Sequence, residues 1–208
     1  QDQDGDGTLD RADAFPCNSQ YAGLAYAPAK GVQGTLLFED EWPGPNDSDS
    51  DDVVLSYNYV YYLNAQGKVV RVVATYSPLA LGGKFNTGLG LHMGIPASAV
   101  ASATRTVAGG AAQPLTISAL DAEFTVDLSS NLREFFNNAS GVINARSDLP
   151  RQAGQSFVVE IMLSTAQDLF SAKAPHDLFI FHSNARGHEM HRHMYPGTAL
   201  MDQSLFGT

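Results

Sequence analysis

The first sustained apolar pattern begins at Gly34. "GTLLFED" is a short apolar run ending in acid, and "VVLSYNYVYYL" (Val53–Leu63) is rich in β-branched and aromatic residues, the composition strands prefer. Its Leu55, Tyr57, Tyr59 and Tyr61 recur at a period of two and share one face. "NAQGK" supplies turn chemistry, with Gly67 free to take a positive φ. "KVVRVVATYSPL" follows as a second strand, so the pair predicts a β-hairpin. Further strands are expected in "FNTGLGLHM" (Phe85–Met93), "LTISALDAEFTVDL", "QSFVVEIMLS" (Gln155–Ser164) and "HDLFIFHS" (His176–Ser183). "SSNLREFFNNA" (Ser129–Ala139) has a capping serine and apolar spacing that predict one short helix. Asn18–Gln33 and Ala99–Pro114 carry little periodicity and read as connections, and the tail from Arg186 reads as irregular.

Seven or eight strands without βαβ alternation predict an all-β fold, an antiparallel β-sandwich with long calcium-binding loops and one short helix. Residues 1–18 read as an acidic, calcium-binding leader loop and residues 19–208 as a β-sandwich ligand-binding domain.

Composition narrows the function. Twelve basic against twenty-two acidic residues give a formal charge of −10, which argues against nucleic acid and anionic lipid, both of which need clustered Lys and Arg. The acid is clumped in Asp2–Asp13 and Glu39–Asp52, a distribution that favours cation sites. One cysteine, Cys17, leaves no intrachain disulfide, which either cytosolic residence or an extracellular module that uses metal as its staple would explain. No run of 18 apolar residues is present, so no membrane insertion is expected. The start at Gln1 without Met reads as part of a longer protein.

The candidate chemistry lies in those acidic stretches. In "DQDGDGTLDRAD", Asp2, Asp4 and Asp6 occupy positions one, three and five of a twelve-residue calcium loop. Gly7 is at six, Thr8 offers a carbonyl at seven, Asp10 is at nine and Asp13 closes the loop. The closing Asp in place of Glu, and the lack of a leading helix, fit a thrombospondin-repeat-like loop better than an EF-hand. In "FEDEWPGPNDSDSDDVV", Glu39, Asp40, Asp47, Asp49, Asp51 and Asp52 bracket a Trp-Pro turn. Carboxylates from both arms would enclose one or two calcium ions; the alternative is a solvated acidic loop. Trp42 is read either as an exposed binding aromatic or as a cap on the core. "RGHEMHRHM" invites a zinc reading through His188, Glu189, His191 and His193, but its spacing departs from H-E-x-x-H. A polar loop with satisfied histidines is the alternative. No G-x-S-x-G elbow is present, and the chain is not expected to be an enzyme.

"DQDGDGTLDRADAFP", "QGTLLFEDEWP", "DSDSDDVVLSYNY", "KFNTGLGLHM", "ARGHEMH" and "YPGTALMDQSLFGT" resemble, in the same order, the LruC-type domain family of bacterial surface proteins. The domain is also similar to the calcium-dependent peptide-binding domain of giant RTX-type bacterial adhesins. The LruC-type family usually shows Asp-Phe-Asn-Asp where this chain has Asp49-Ser50-Asp51-Asp52, and commonly continues beyond Phe-Gly-Thr. The resemblance implies several Ca2+ ions and capture of a peptide or protein C-terminus on a host or neighbouring cell. It also implies a monomeric module displayed at the cell surface within a larger secreted protein. The expected ligand-binding residues are Asp40, Asp49, Asp51, Asn86, Arg186, His188 and His191. Calcium-dependent carbohydrate binding and a calcium-stiffened structural role are the alternatives.

Overall fold

The fold is described from a computed structural model, which describes residues 1–44, 51–137, 140–170 and 176–206. Asp47 and Asp49 lie outside the described residues. Eleven strands form two antiparallel sheets among the described residues: β1 (Gly23–Ala27), β2 (Gly34–Phe38), β3 (Val53–Leu63), β4 (Val69–Ala80), β5 (Thr87–Pro96), β6 (Val100–Val107), β7 (Gln113–Pro114), β8 (Glu123–Ser129), β9 (Phe157–Gln167), β10 (His176–His182) and β11 (Ala185–Met190). One sheet runs β1-β3-β4-β9-β6-β7, with β2 also on β3, and the other runs β11-β10-β5-β8. The all-β antiparallel sandwich is as the sequence predicts.

The β3–β4 hairpin is the spine. Gly67 takes φ +72° in its turn, and Asn64 Oδ1 accepts the Gln66 and Lys68 amides. The outer edge of β3 is shared: β1 pairs with Tyr59–Leu63, and β2 with Val53–Tyr57. Leu55, Tyr59 and Tyr61 point inward and are fully buried, facing Leu91, Met93, Leu178 and Ile180 of the other sheet in one apolar core. The inward tyrosine hydroxyls find partners, as buried polar groups must. Tyr76 donates to Tyr59 at 2.9 Å, and Tyr61 pairs with His176 Nδ1 at 3.1 Å. Burial, assisted by Arg192, pushes the His176 imidazole down to about 3, so this ring is neutral at pH 7.

Four expectations are corrected. β1 arises within Asn18–Gln33 and β6 within Ala99–Pro114, both read as connections. β6 consists largely of small and polar residues and is a strand because β9 and β7 hydrogen-bond its two edges. β11 occupies the start of the tail read as irregular. The helix expected over Ser129–Ala139 is only a 3-10 turn, Leu132–Phe135, capped by Asn131, whose side chain accepts the Arg133 amide. Ser129 instead ends β8. Leu132, Phe135 and Phe136 are all buried, and Phe135 stacks on Phe157 with centroids 4.5 Å apart. The i, i+3, i+4 spacing of these three residues suits a helix, but the backbone turns extended at Phe136 as the segment enters the core, so only one turn forms.

The leader loop is tied to the sandwich by aromatic packing. Phe15 packs on Tyr21 and Tyr62 at 5.5 and 5.7 Å, and Ala22 donates its amide to the Leu63 carbonyl. No helix among the described residues is long and apolar enough to cross a membrane.

Candidate functional site

Three loops converge at one end of the sandwich: β2–β3, β4–β5 and the turn from β10 to β11. Asp40 is at their junction and is fully buried. Its carboxylate Oδ2 accepts the Thr87 hydroxyl at 3.2 Å, while Oδ1 is shielded from solvent with no hydrogen-bond partner. Its amide donates to Asp52 Oδ2 at 2.7 Å. Its carbonyl, which can only accept, takes a hydrogen bond from His182 Nε2 at 2.5 Å, so the proton of that ring is fixed on Nε2.

Gly82 and Gly83 form the floor. A Cβ at Gly82 would overlap the Asp51 carboxylate, and one at Gly83 would overlap that of Asp40. These two carboxylates therefore lie against consecutive Cα atoms, about 3.8 Å apart. Gly82 also donates to the carbonyls of Asp51 and Asp52, which closes the β4–β5 loop onto the acidic arm. Burial and the neighbouring Asp52 push the Asp40 carboxyl up to about 6, against the opposing Thr87 hydrogen bond. A buried, half-partnered carboxylate beside two more carboxylates is unfavourable without a counter-charge. The cradle draws Asp40, Asp51 and Asp52 to one junction, where a hard divalent cation such as calcium would supply the counter-charge, although among the described residues only the carboxylates of Asp2, Asp4 and Asp6 offer three oxygens within 4.8 Å of one another.

The leader loop carries a second set. One oxygen each of Asp4, Asp6 and Asp13 accepts a backbone amide, from Asp6, Thr8 and Phe15 respectively. The other oxygen of each is shielded and has no hydrogen-bond partner. The carboxylates of Asp2, Asp4 and Asp6 offer oxygens within 4.8 Å of one another. Asp2 accepts from Gly5 and Gly7, and Gly5 and Gly7 take φ of +75° and +99°, conformations glycine adopts readily. Asp10 accepts the Gln3 amide and holds the two ends of the turn together. The three shielded oxygens belong to loop positions three, five and twelve, where a calcium loop places side-chain ligands.

Other expected site residues have different partners. Asn86 gives its amide oxygen to Arg133 Nε at 3.1 Å, and Arg133 also donates to the Gly141 and Gly83 carbonyls. Asn86 therefore braces the β4–β5 loop. His188 stands beside His182, ring centroids 5.2 Å apart, so the structure does bring it toward Asp40. Arg186 and His191 instead belong to a buried layer on the outer face of the four-stranded sheet. Phe179 and Phe181 lie there over Gly90 and Gly88, where any Cβ would overlap the rings. Arg186 stacks on Phe181 at 4.3 Å and pairs with Asp127 at 2.7 Å and with Glu189. His191 is held between Asp177 at 2.6 Å and Glu189 at 2.8 Å. Burial pulls its pKa down, but the two carboxylates outweigh burial and raise it. Glu189 also accepts the Thr198 amide at 2.9 Å and hydroxyl at 2.6 Å. Burial would push its carboxyl up, but the His191, Thr198 and Arg186 hydrogen bonds hold it at about 2. Both ring nitrogens of His191 face carboxylates, so the cluster is an ion network that clamps the C-terminal segment, not a three-histidine metal centre. Trp42 is half-buried and packs on Phe206 at 5.4 Å.

Gly82, Gly83, Thr87 and His182 were not singled out from the sequence. The doubled glycine ahead of a strand in "LALGGKFNTG" is the one local signal that pointed to a close backbone approach.

The profile of the family described as a domain of unknown function, DUF4842, matches residues 67–208, and the chain belongs to this family. The match takes in the β4–β5 loop, His182 and the outer-face network, while Asp40–Asp52 and the leader loop precede it. The fold is similar to the crystal structure of a protein described as a "Putative lipoprotein from Bacteroides ovatus", with TM-score 0.58 and 18% identity over 84% of this chain. The chain spans 56% of that protein. No curated protein matches.

Proposed function

We propose that this DUF4842-family chain is a calcium-dependent binding module of a bacterial surface protein. In this reading, calcium held by the β2–β3 loop keeps part of its coordination shell open to a carboxylate at the end of a partner peptide. The observation that carries the reading is Asp40: fully buried, one oxygen without a partner, in a cradle with Asp51 and Asp52. A surface of formal charge −10 repels a carboxylate unless a bound cation reverses the local sign. The motif resemblance to LruC-type domains and RTX-type adhesins supports peptide capture. The lipoprotein description of the Bacteroides ovatus neighbour supports a cell-surface location. The leader loop would hold a further calcium with a stiffening role, in place of the disulfides this chain lacks. The ion-paired state of His191 and Glu189 favours binding over histidine-based hydrolysis.

Calorimetry with calcium alone, followed by peptides with free and with amidated C-termini, tests the proposal. Calcium-dependent binding of the free carboxylate only is the expected result. If calcium binds but no peptide does, the ion is structural. If a glycan array responds in calcium while peptides do not, the module is a lectin.

A further inference from the structure

A cavity of about 400 Å³ lies beside the β2–β3 loop, within the usual size of small-ligand pockets. Trp42, Met190, Met194, Tyr195, Met201 and Phe206 line it. Three of the protein's five methionines thus converge on one hollow. Unbranched thioethers re-pack around different shapes, which is why methionine is concentrated on adaptable peptide-binding surfaces. Met194 and Phe206 are 65% and 55% exposed, so the rim holds large apolar groups in water.

The charge around the cavity is one-sided. Glu189, at its base, is saturated by Arg186, His191 and Thr198. Arg192 and His193 also line the cavity. Arg192 donates to the His176 carbonyl and lies 5.6 Å from the Tyr195 ring, and no carboxylate pairs with its guanidinium among the described residues. In a chain of net charge −10, a cavity whose unneutralised charge is cationic favours an acidic ligand. The cavity is also close to the acidic cradle. Trp42 follows Asp40 by two residues, a chain distance of at most about 7 Å, so adjacent residues of one peptide could span both.

We infer that this cavity takes the bulky apolar side chain of an acidic peptide whose free C-terminal carboxylate reaches the β2–β3 loop. The inference rests on the carboxylate-capture reading above and adds the chemical class of the ligand's neighbouring residue.

The test uses the whole chain and its single tryptophan, Trp42, as a fluorescence reporter. Three acetylated acidic peptides differing only in the penultimate residue, Phe, Leu or Gly, are titrated in calcium and in chelator, with free and amidated ends. The Phe and Leu peptides are expected to bind at least about tenfold tighter than the Gly peptide, in calcium and with a free end only, and to shift Trp42 emission. Met194→Ser changes a side chain that is 65% exposed and is expected to shrink that preference to about threefold or less without lowering the melting temperature; Phe206→Ser, which also removes the packing on Trp42, is expected to shrink it likewise. Equal affinity for all three free-ended peptides overturns the cavity inference while carboxylate capture stands. Calcium binding without any peptide binding overturns both. Tight binding of Phe and Leu peptides that survives amidation and chelator overturns the link to the carboxylate, leaving only an apolar pocket.

Discussion

Replacing Asp40 with Asn distinguishes a cation ligand from an ordinary buried acceptor, because the two roles predict opposite signs in the absence of metal. Burial and Asp52 raise the Asp40 carboxyl from 3.8 to about 6. At about 1.4 kcal/mol per pH unit, the ionised side chain opposes folding by about 3 kcal/mol at pH 7 when no cation is present. The folded chain holds this proton more tightly than the unfolded chain between 3.8 and about 6. In chelator, stability therefore falls as pH rises through that window and levels off above it. Asn keeps an oxygen for the Thr87 hydroxyl and removes the charge. Asp40→Asn should therefore stabilise the calcium-free protein by up to about 3 kcal/mol, or roughly 6–12 °C in melting temperature for a chain of this size. In saturating calcium that advantage is cancelled, since the variant forfeits the linkage energy of the ion, about 2.7 kcal/mol at a hundredfold excess over Kd, and the two melting temperatures should converge. Thermal unfolding of both proteins at pH 7, with calcium and with chelator, reads the four values. If Asp40→Asn lowers the melting temperature equally in both conditions, Asp40 is a plain acceptor for Thr87 and the cation assignment fails.

Asp4→Asn combined with Asp6→Asn should remove one calcium ion by native mass spectrometry while peptide affinity stays within about twofold; an unchanged ion count would refute the leader-loop assignment. Glu189→Gln uncouples Arg186, His191 and Thr198, and should cost about 3–5 kcal/mol, the usual penalty for breaking a buried ion pair. Limited proteolysis should then cut first between Tyr195 and Phe206, and a loss below about 1 kcal/mol would show that the network does not hold this segment. Glu189 titrates at about 2 when folded against 4.5 normally, so its contribution is complete above pH 4.5 and disappears as pH falls toward 2; acid unfolding of wild type and Glu189→Gln should converge there. Gly90→Ala drives a methyl into the fully buried Phe179 ring and should destabilise by about 1–3 kcal/mol. Gly94→Ala, with open space around its Cα, is the control and should change stability little.

Features set by near neighbours can be read from residue order alone. The β3–β4 hairpin was legible because its period-two faces and its Asn64–Gly67 turn act within a few residues of each other. The leader turn was legible for the same reason: Asp2, Asp4, Asp6 and the two glycines set a tight turn whatever surrounds it. Tertiary structure decided what depends on distant partners. β6 has little apolar signal of its own and becomes a strand only because β9 and β7 satisfy its backbone on both sides. The segment after β8 has helical spacing, but Phe135 and Phe136 are drawn into a core already shaped by Phe157. The histidine motif has a spacing that disfavours zinc in the sequence, but the partners of Glu189 and His191 (Asp177, Arg186 and Thr198) come together only through β10, β11 and the C-terminal segment. The acidic stretch before β3 shows the division most plainly. Its carboxylates are visible in the sequence, but which of them is buried and left half-partnered depends on Gly82, Gly83, Thr87 and His182. These residues meet the acidic arm only because two sheets close over one another and bring three loops to the same end.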